Sequence, residues 1–196
     1  MKKDIELHKR RLGSGGALPT TSDTVQGLIV IFTGRGKGKS SAAFTMAQRA
    51  ILQQIKVGVV QFFGGAVHSA EYLSLAPNPL CDFQICCNQC SWQMNDHHHD
   101  RANVNHAWEQ AMRMMDDPAY GMVIFDDIML MIRNHYLDLS ELMAALRRRR
   151  PDVHIVMTGR YAPLELIDFA DLVTEMRDVK HPHPKLALPP QAGIEF

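Results

Sequence analysis

Three short stretches of this chain carry residues that could do chemistry, and the most specific is Thr33-Gly34-Arg35-Gly36-Lys37-Gly38-Lys39-Ser40-Ser41. From Gly38 onward it follows the phosphate-loop pattern G-x-x-x-x-G-K-[ST], with Thr33 where the first glycine normally stands. Glycines let successive backbone N–H groups turn inward and approach phosphate oxygens. A helix starting near Lys39 adds its N-terminal N–H groups and partial positive charge. Lys39 supplies a full charge to the phosphates, and the Ser40 hydroxyl suits Mg²⁺. The segment from Gly34 to Ser41 is therefore expected to bind the phosphates of ATP or a close relative.

The second stretch, Met122–Asp127 (MVIFDD), is four apolar residues followed by two acids. In phosphate-loop proteins such a strand end brings a carboxylate near the metal. Adjacent residues of an extended chain point to opposite sides, so a regular strand would let only one acid face the ion. Asp127 is expected nearer the nucleotide or Mg²⁺, with Asp126 in the outer shell. The alternative for both acids is a helix cap or a solvated loop.

The third stretch holds Cys81, Cys86, Cys87 and Cys90, followed by His97-His98-His99. Cys87-x-x-Cys90 has metal-type spacing, but a structural zinc site usually carries a second spaced pair. Reduced thiols beside a polar loop are the simpler expectation. Trp92 between them could pack on a flat ligand or fill core. Arg147–Arg150 reads as a solvated helix C-terminus, where the dipole favours cations, with a phosphate or partner patch as the alternative.

The pattern of elements supplies the frame. Gly27–Thr33, Lys56–Phe62, Asp82–Cys86, Gly121–Phe125, Val153–Thr158 and Ala170–Met176 read as strands, mostly buried on both faces. Helices are expected over Ser41–Gln53, around Val104, Ala107, Trp108, Ala111 and Met115, from a capping box at Asp138–Glu141 to Arg150, and over Leu164–Ala170. Strands alternating with helices imply a mostly parallel sheet covered on both faces, with ligands beyond the carboxyl ends of the strands.

Length and charge set bounds. The 196 residues suit one sizeable domain, expected over 27–196, preceded by a flexible N-terminal arm over 1–26, for which the alternative is an arm that closes over a ligand or a partner subunit. With 21 basic and 21 acidic residues the net charge is zero, which argues against a dedicated nucleic-acid binder. No apolar run is long enough to span a bilayer, and the charged N-terminus is not a secretory signal. A cytoplasmic location with reduced cysteines is expected.

Together GLIVIFTGRGKGKSSAAF, KVGVVQF, Trp92, MVIFDD, VMTGR, Val179–His181 (VKH) and Gly193-Ile194 resemble the P-loop ATP:corrinoid adenosyltransferases of CobA/BtuR type, from about Gly27 to the C-terminus. The resemblance implies a RecA-like, P-loop NTPase-like three-layer α/β fold with a mostly parallel sheet, and a homodimer. It implies transfer of the 5′-deoxyadenosyl group of ATP to the cobalt of a reduced corrinoid, with release of triphosphate. It puts the residues from Thr33 to Ser41 and Arg160 on ATP, and Lys39 and Asp127 in the chemistry. Ser40, Asp126 and Asp127 fall to Mg²⁺, and Cys90 and Trp92 to the corrinoid side. An electron-donor protein would supply the reduced cobalt. This chain has Asp126-Asp127 where the family usually has Asp-Glu, Cys90-Ser91-Trp92-Gln93 for Phe-Thr-Trp-Glu, and Gly64 for a lysine. The residues leave two other readings open: an ATP- or corrinoid-binding relative acting as sensor or carrier, and an unrelated P-loop kinase or NTPase.

Overall fold

The computed structural model describes residues 26–63, 69–86, 97–180, 191 and 193–194, with residues 97–100 given as backbone alone. Among the described residues there are six strands: β1 (Ile29–Thr33), β2 (Lys56–Gln61), β3 (Cys81–Ile85), β4 (Tyr120–Asp126), β5 (His154–Thr158) and β6 (Leu172–Glu175). The same residues hold the helices α1 (Lys39–Leu52), α2 (Ala70–Leu75), α3 (His97–Asp116), α4 (Ile128–Arg133), α5 (Leu139–Arg148) and α6 (Leu164–Phe169). All six expected strands are present within one or two residues of their anticipated ends. The short helices α2 and α4 were not anticipated, since neither is long enough to display a helical period.

The strands make one parallel sheet in the order β3-β2-β4-β5-β1-β6. Alternating side chains serve opposite faces. Ile29, Ile31, Val123, Phe125, Ile155 and Met157 join one core with Trp108 and Met115 of α3, Ile128 of α4, Leu142 of α5 and Leu166 of α6. Val30, Met122, Ile124 and Val156 join a second core with Ala43, Phe44 and Ala47 of α1. A three-layer α/β/α arrangement follows, and it explains why the central strands are apolar without alternation. Phe125 is fully buried, edge-on to Phe62 and Trp108 at ring-centroid distances of 6.4 and 5.9 Å. Each such fully buried side chain contributes about 1.5–3 kcal/mol of transfer free energy.

Two expectations need correction. Asp138 is the N-cap of α5, but its side chain makes no capping hydrogen bond. Glu141 instead accepts from Trp108 Nε1 at 2.7 Å, so a contact to α3 replaces the capping box. The arginine run is not merely a solvated helix end. Arg149 donates to the carbonyls of Leu146 and Gly27, at 3.0 and 3.2 Å, and Arg150 donates to the carbonyls of Asp117 and Tyr120. Guanidinium groups that saturate loop carbonyls here join α5 to the amino ends of β1 and β4.

The strand order decides what can meet. The loop-bearing strand β1 and the acid-bearing strand β4 are separated by β5, so the end of β5 lies between phosphate loop and acid pair. Among the described residues no helix is long and apolar enough to cross a membrane.

Candidate nucleotide site at the strand ends

The phosphate loop leaves β1 at Thr33 and enters α1 at Lys39. Gly34 and Gly38 have φ of 97° and 108°, a left-handed backbone that favours glycine. The loop is seated on the chain that follows β6. Gly36 N donates to Met176 O at 2.7 Å, and Met176 N donates to Thr33 O at 2.8 Å. A Cβ on Gly34 would lie 2.3 Å from Met176 O. Thr33 is buried, and its hydroxyl accepts from Ala162 N at 3.1 Å. The threonine in place of the pattern's first glycine thus has a structural task, tying the loop's start to the segment after β5.

Lys39 is buried to 9% exposure, with Nζ donating to Gly36 O at 2.7 Å. Burial lowers its pKa, and Arg160 lowers it further, while Asp127 and Asp126 act in the opposite direction. An ammonium held so, beside a second cation, is partly desolvated and attracts anions strongly.

Gln61, Asp126 and Thr158 form a polar row across the ends of β2, β4 and β5. Gln61 is in register with Asp126, and Met157 with Phe125. Asp126 is 1% exposed. Its Oδ1 accepts from Thr158 Oγ1 at 2.7 Å and its Oδ2 from Gln61 Nε2 at 3.1 Å. Burial pushes its pKa up, opposed by hydrogen bonds to Thr158, Ser40 and Gln61. Asp127 does not continue the strand. It turns left-handed, φ 56°, and stands at the N-cap position of α4 with no capping hydrogen bond from its side chain, while its N–H donates to Thr158 Oγ1 at 2.9 Å. The two acids are therefore separated by a turn of the chain rather than by strand alternation. Asp126 faces inward onto Ser40, and Asp127 faces the cavity. Desolvation and then Asp126 push the Asp127 carboxyl up to about 7, against the pull of Lys39 and Arg160.

These elements line an open cavity of about 610 Å³, within the size range of small-molecule sites. Arg35 to Ser41, Asp127 and Arg160 line it, so most of the residues expected on ATP and metal share one space. Thr33, Gly34 and Asp126 stand behind that lining, and Asp126 connects to it through its hydrogen bond with Ser40. Among the described residues five lining side chains are cationic, Arg35, Lys37, Lys39, Arg133 and Arg160, against the carboxylates Glu71 and Asp127. Such a lining suits a polyanion. Ser40, Asp126 and Asp127 offer oxygen donors only, the type a hard dication takes. Among the described residues no group of three or more His, Cys, Asp or Glu could hold an ion by itself. A Mg²⁺ here would draw its other ligands from phosphate and water.

Cys87, Cys90 and Trp92 lie outside the described residues, as do Gly64, most of the N-terminal arm and His181; the side chains of His97–His99 lie outside them too. Sequence reasoning gave no role to Gln61, Thr158, Phe63, Leu130, Arg133 or Tyr161. Gln61 and Thr158 carried a usable signal, since each closes an apolar strand with a polar residue, as Asp126 does.

A family model described as ATP:corrinoid adenosyltransferase BtuR/CobO/CobP matches residues 25–196. A corrinoid adenosyltransferase of Sinorhizobium sp is 35% identical over 195 residues, covering 98% of this chain and 90% of that protein. The corrinoid adenosyltransferase of Escherichia coli K12 is 36% identical over 171 residues, covering 87% of this chain and 86% of its own. Among solved structures, the flagellar accessory protein FlaH from Methanocaldococcus jannaschii superposes with a TM-score of 0.52 at 15% identity, over 87% of this chain and 76% of that one. The last is a likeness of fold alone.

Proposed function

This chain belongs to the ATP:corrinoid adenosyltransferase family, and we propose from that premise that it transfers the 5′-deoxyadenosyl group of ATP to the cobalt of a reduced corrinoid. The electron pair of cobalt(I) attacks C5′. The bond from C5′ to the α-phosphate oxygen breaks, its electrons leave with triphosphate, and the cobalt becomes formally cobalt(III). No side chain has to act as nucleophile. The protein's tasks are positioning and stabilisation of the leaving group.

The observation that supports this reading best is the cationic cavity that the phosphate loop lines. Lys39, Arg160 and the loop N–H groups from Gly34 to Ser41 would hold the triphosphate through bond cleavage, with Lys37 and Arg35 adding charge at the rim. Ser40 and Asp127 would hold Mg²⁺, with Asp126 fixing the Ser40 hydroxyl from behind. The ion would neutralise charge on the departing triphosphate. Trp92 and Cys90 are assigned to the corrinoid side. The reading also includes a homodimer, a cytoplasmic location and a protein electron donor that keeps the cobalt reduced.

The test is incubation with ATP, Mg²⁺ and chemically reduced cob(I)alamin, followed by mass spectrometry. Adenosylcobalamin and triphosphate in equal amounts are expected. ADP and phosphate instead would overturn the reaction in favour of a hydrolase or kinase. ATP binding without product would leave a binding relative.

A further inference from the structure

The phosphate loop leans on a residue that the transfer chemistry does not use. Met176 directly follows β6 and is not among the residues that line the cavity. Its N–H donates to Thr33 O at 2.8 Å, and its carbonyl accepts from Gly36 N at 2.7 Å. Its thioether covers a further glycine of the loop. A Cβ on Gly38 would lie 3.2 Å from Met176 Sδ and 3.8 Å from its Cε. Gly38 has φ of 108° and stands directly before Lys39. Main chain and side chain of Met176 thus both touch the loop, so a change at the sulfur reaches the glycines that shape it.

Oxidation of a thioether follows its exposure. Among the described residues Met46, Met112 and Met176 are partly exposed, and the other methionines are buried. Met46 lies within α1 and Met112 within α3, whereas Met176 is hydrogen-bonded to the phosphate loop. Glu175 and Arg177 on either side of it are exposed, so a small oxidant can reach this segment. A sulfoxide is polar where the thioether is apolar. Its oxygen would lose hydration if it stayed packed on Gly38. The oxidised sulfur is therefore expected to leave that contact and to draw the Met176 main chain from Thr33 and Gly36.

We propose that Met176 is an oxidation site through which hydrogen peroxide loosens the phosphate loop and weakens ATP binding. In the step, a sulfur lone pair bonds one peroxide oxygen and the O–O bond breaks. The departing hydroxide takes the proton of the transferred oxygen and leaves as water. Sulfur is oxidised by two electrons and the peroxide is reduced by them. The oxidant can arise beside the protein itself: cobalt(I) and dioxygen, with two protons, give cobalt(III) and hydrogen peroxide. A thiol-dependent sulfoxide reductase reverses the change, the oxygen leaving as water while two thiols become a disulfide. The inference rests on the ATP-dependent reading above and adds a modification that regulates it.

The test treats the full chain with hydrogen peroxide and then with dithiothreitol, which returns cysteine disulfides and sulfenic acids to thiols and leaves sulfoxides. Peptide mass spectrometry reads the added oxygen at each methionine, and calorimetry with Mg²⁺ present reads ATP affinity. A sulfoxide at Met176 is expected, with ATP bound about tenfold more weakly, the worth of one displaced hydrogen bond. Methionine sulfoxide reductase should restore the affinity. In Met176→Leu, ATP affinity should be the same before and after peroxide. Met176→Gln, which puts a polar amide in place of the sulfoxide, should bind ATP more weakly than wild type with no oxidant added. Unchanged ATP affinity in protein oxidised at Met176 would overturn the proposal. So would a Met176 that stays unoxidised while Met46 and Met112 react. An equal loss after peroxide in Met176→Leu would overturn it too, by assigning the effect to another side chain. Untreated wild-type protein that bound no ATP would instead overturn the ATP-dependent reading itself.

Discussion

Thr158 makes two hydrogen bonds from one hydroxyl, donating to Asp126 Oδ1 and accepting from Asp127 N. It is fully buried, so water cannot replace either partner. Valine has the same shape and neither function. Thr158→Val should therefore take one hydrogen bond from the buried Asp126 carboxylate and orphan the Asp127 N–H, the latter alone costing about 1–3 kcal/mol. Denaturant unfolding would read that loss. Nucleotide binding in Mg²⁺ should weaken as well, because Asp126 loses one of the bonds that aim it at Ser40. Thr158→Ser keeps the hydroxyl and should recover most of both. A valine variant as stable as wild type would mean the polar row contributes nothing.

At the scale of elements, the loop between β1 and α1 depends on a close approach that a methyl group forbids. Gly34→Ala would place Cβ 2.3 Å from Met176 O with φ at 97°. The left-handed backbone alone costs an alanine about 1–2 kcal/mol, and relief of the overlap must move the loop off the segment after β6. Loss of ATP binding with a lower melting temperature is expected; a variant with wild-type affinity would show that the seat is dispensable. Elsewhere, His154 opens β5 with its Nδ1 accepting from Leu28 N at 3.1 Å, and burial lowers its pKa below 6.5. A depressed histidine contributes stability that is complete above the unfolded pKa of about 6.5. It is lost as pH falls from there towards the folded pKa, since the unfolded chain binds the proton first. Melting temperature should thus fall more steeply below pH 6.5 in wild type than in His154→Gln, and identical slopes would remove His154 from the account. These elements also mark how far the sequence could be read. β1, its glycines and Lys39 were legible because motif and helix are contiguous. The polar ends of β2 and β5 were visible as residues, yet not as partners of Asp126. Their alignment depends on the strand order, which is set by contacts such as Gln61 to Asp126, 65 residues apart. Asp127 was legible as a cavity residue, but its left-handed turn was not, because the pattern MVIFDD describes a strand and says nothing of where it stops.

Over the whole molecule the formal charge is zero, which removed nucleic acid as an expected partner and gave no sign of a polyanion site. The fold resolves that tension by segregation. Among the described residues one cavity gathers five cations from β1's loop, α4 and the end of β5, while most acids lie elsewhere. A site of this kind works by local field rather than by net charge, so its affinity should respond to screening. The Debye length shrinks from about 10 Å at 0.1 M salt to about 3 Å at 1 M. Rim charges such as Arg35, which is exposed, should then lose most of their pull on the phosphates, whereas buried Lys39 keeps its own. ATP affinity is expected to fall by roughly tenfold over that range of salt. The dependence of log affinity on log salt should become shallower in Arg35→Gln, with little change in affinity left at 1 M. If the two proteins instead differ by the same factor at every salt concentration, Arg35 contacts the nucleotide directly and the screened-rim account fails. If neither responds to salt, the buried ammonium and the loop N–H groups carry the binding alone.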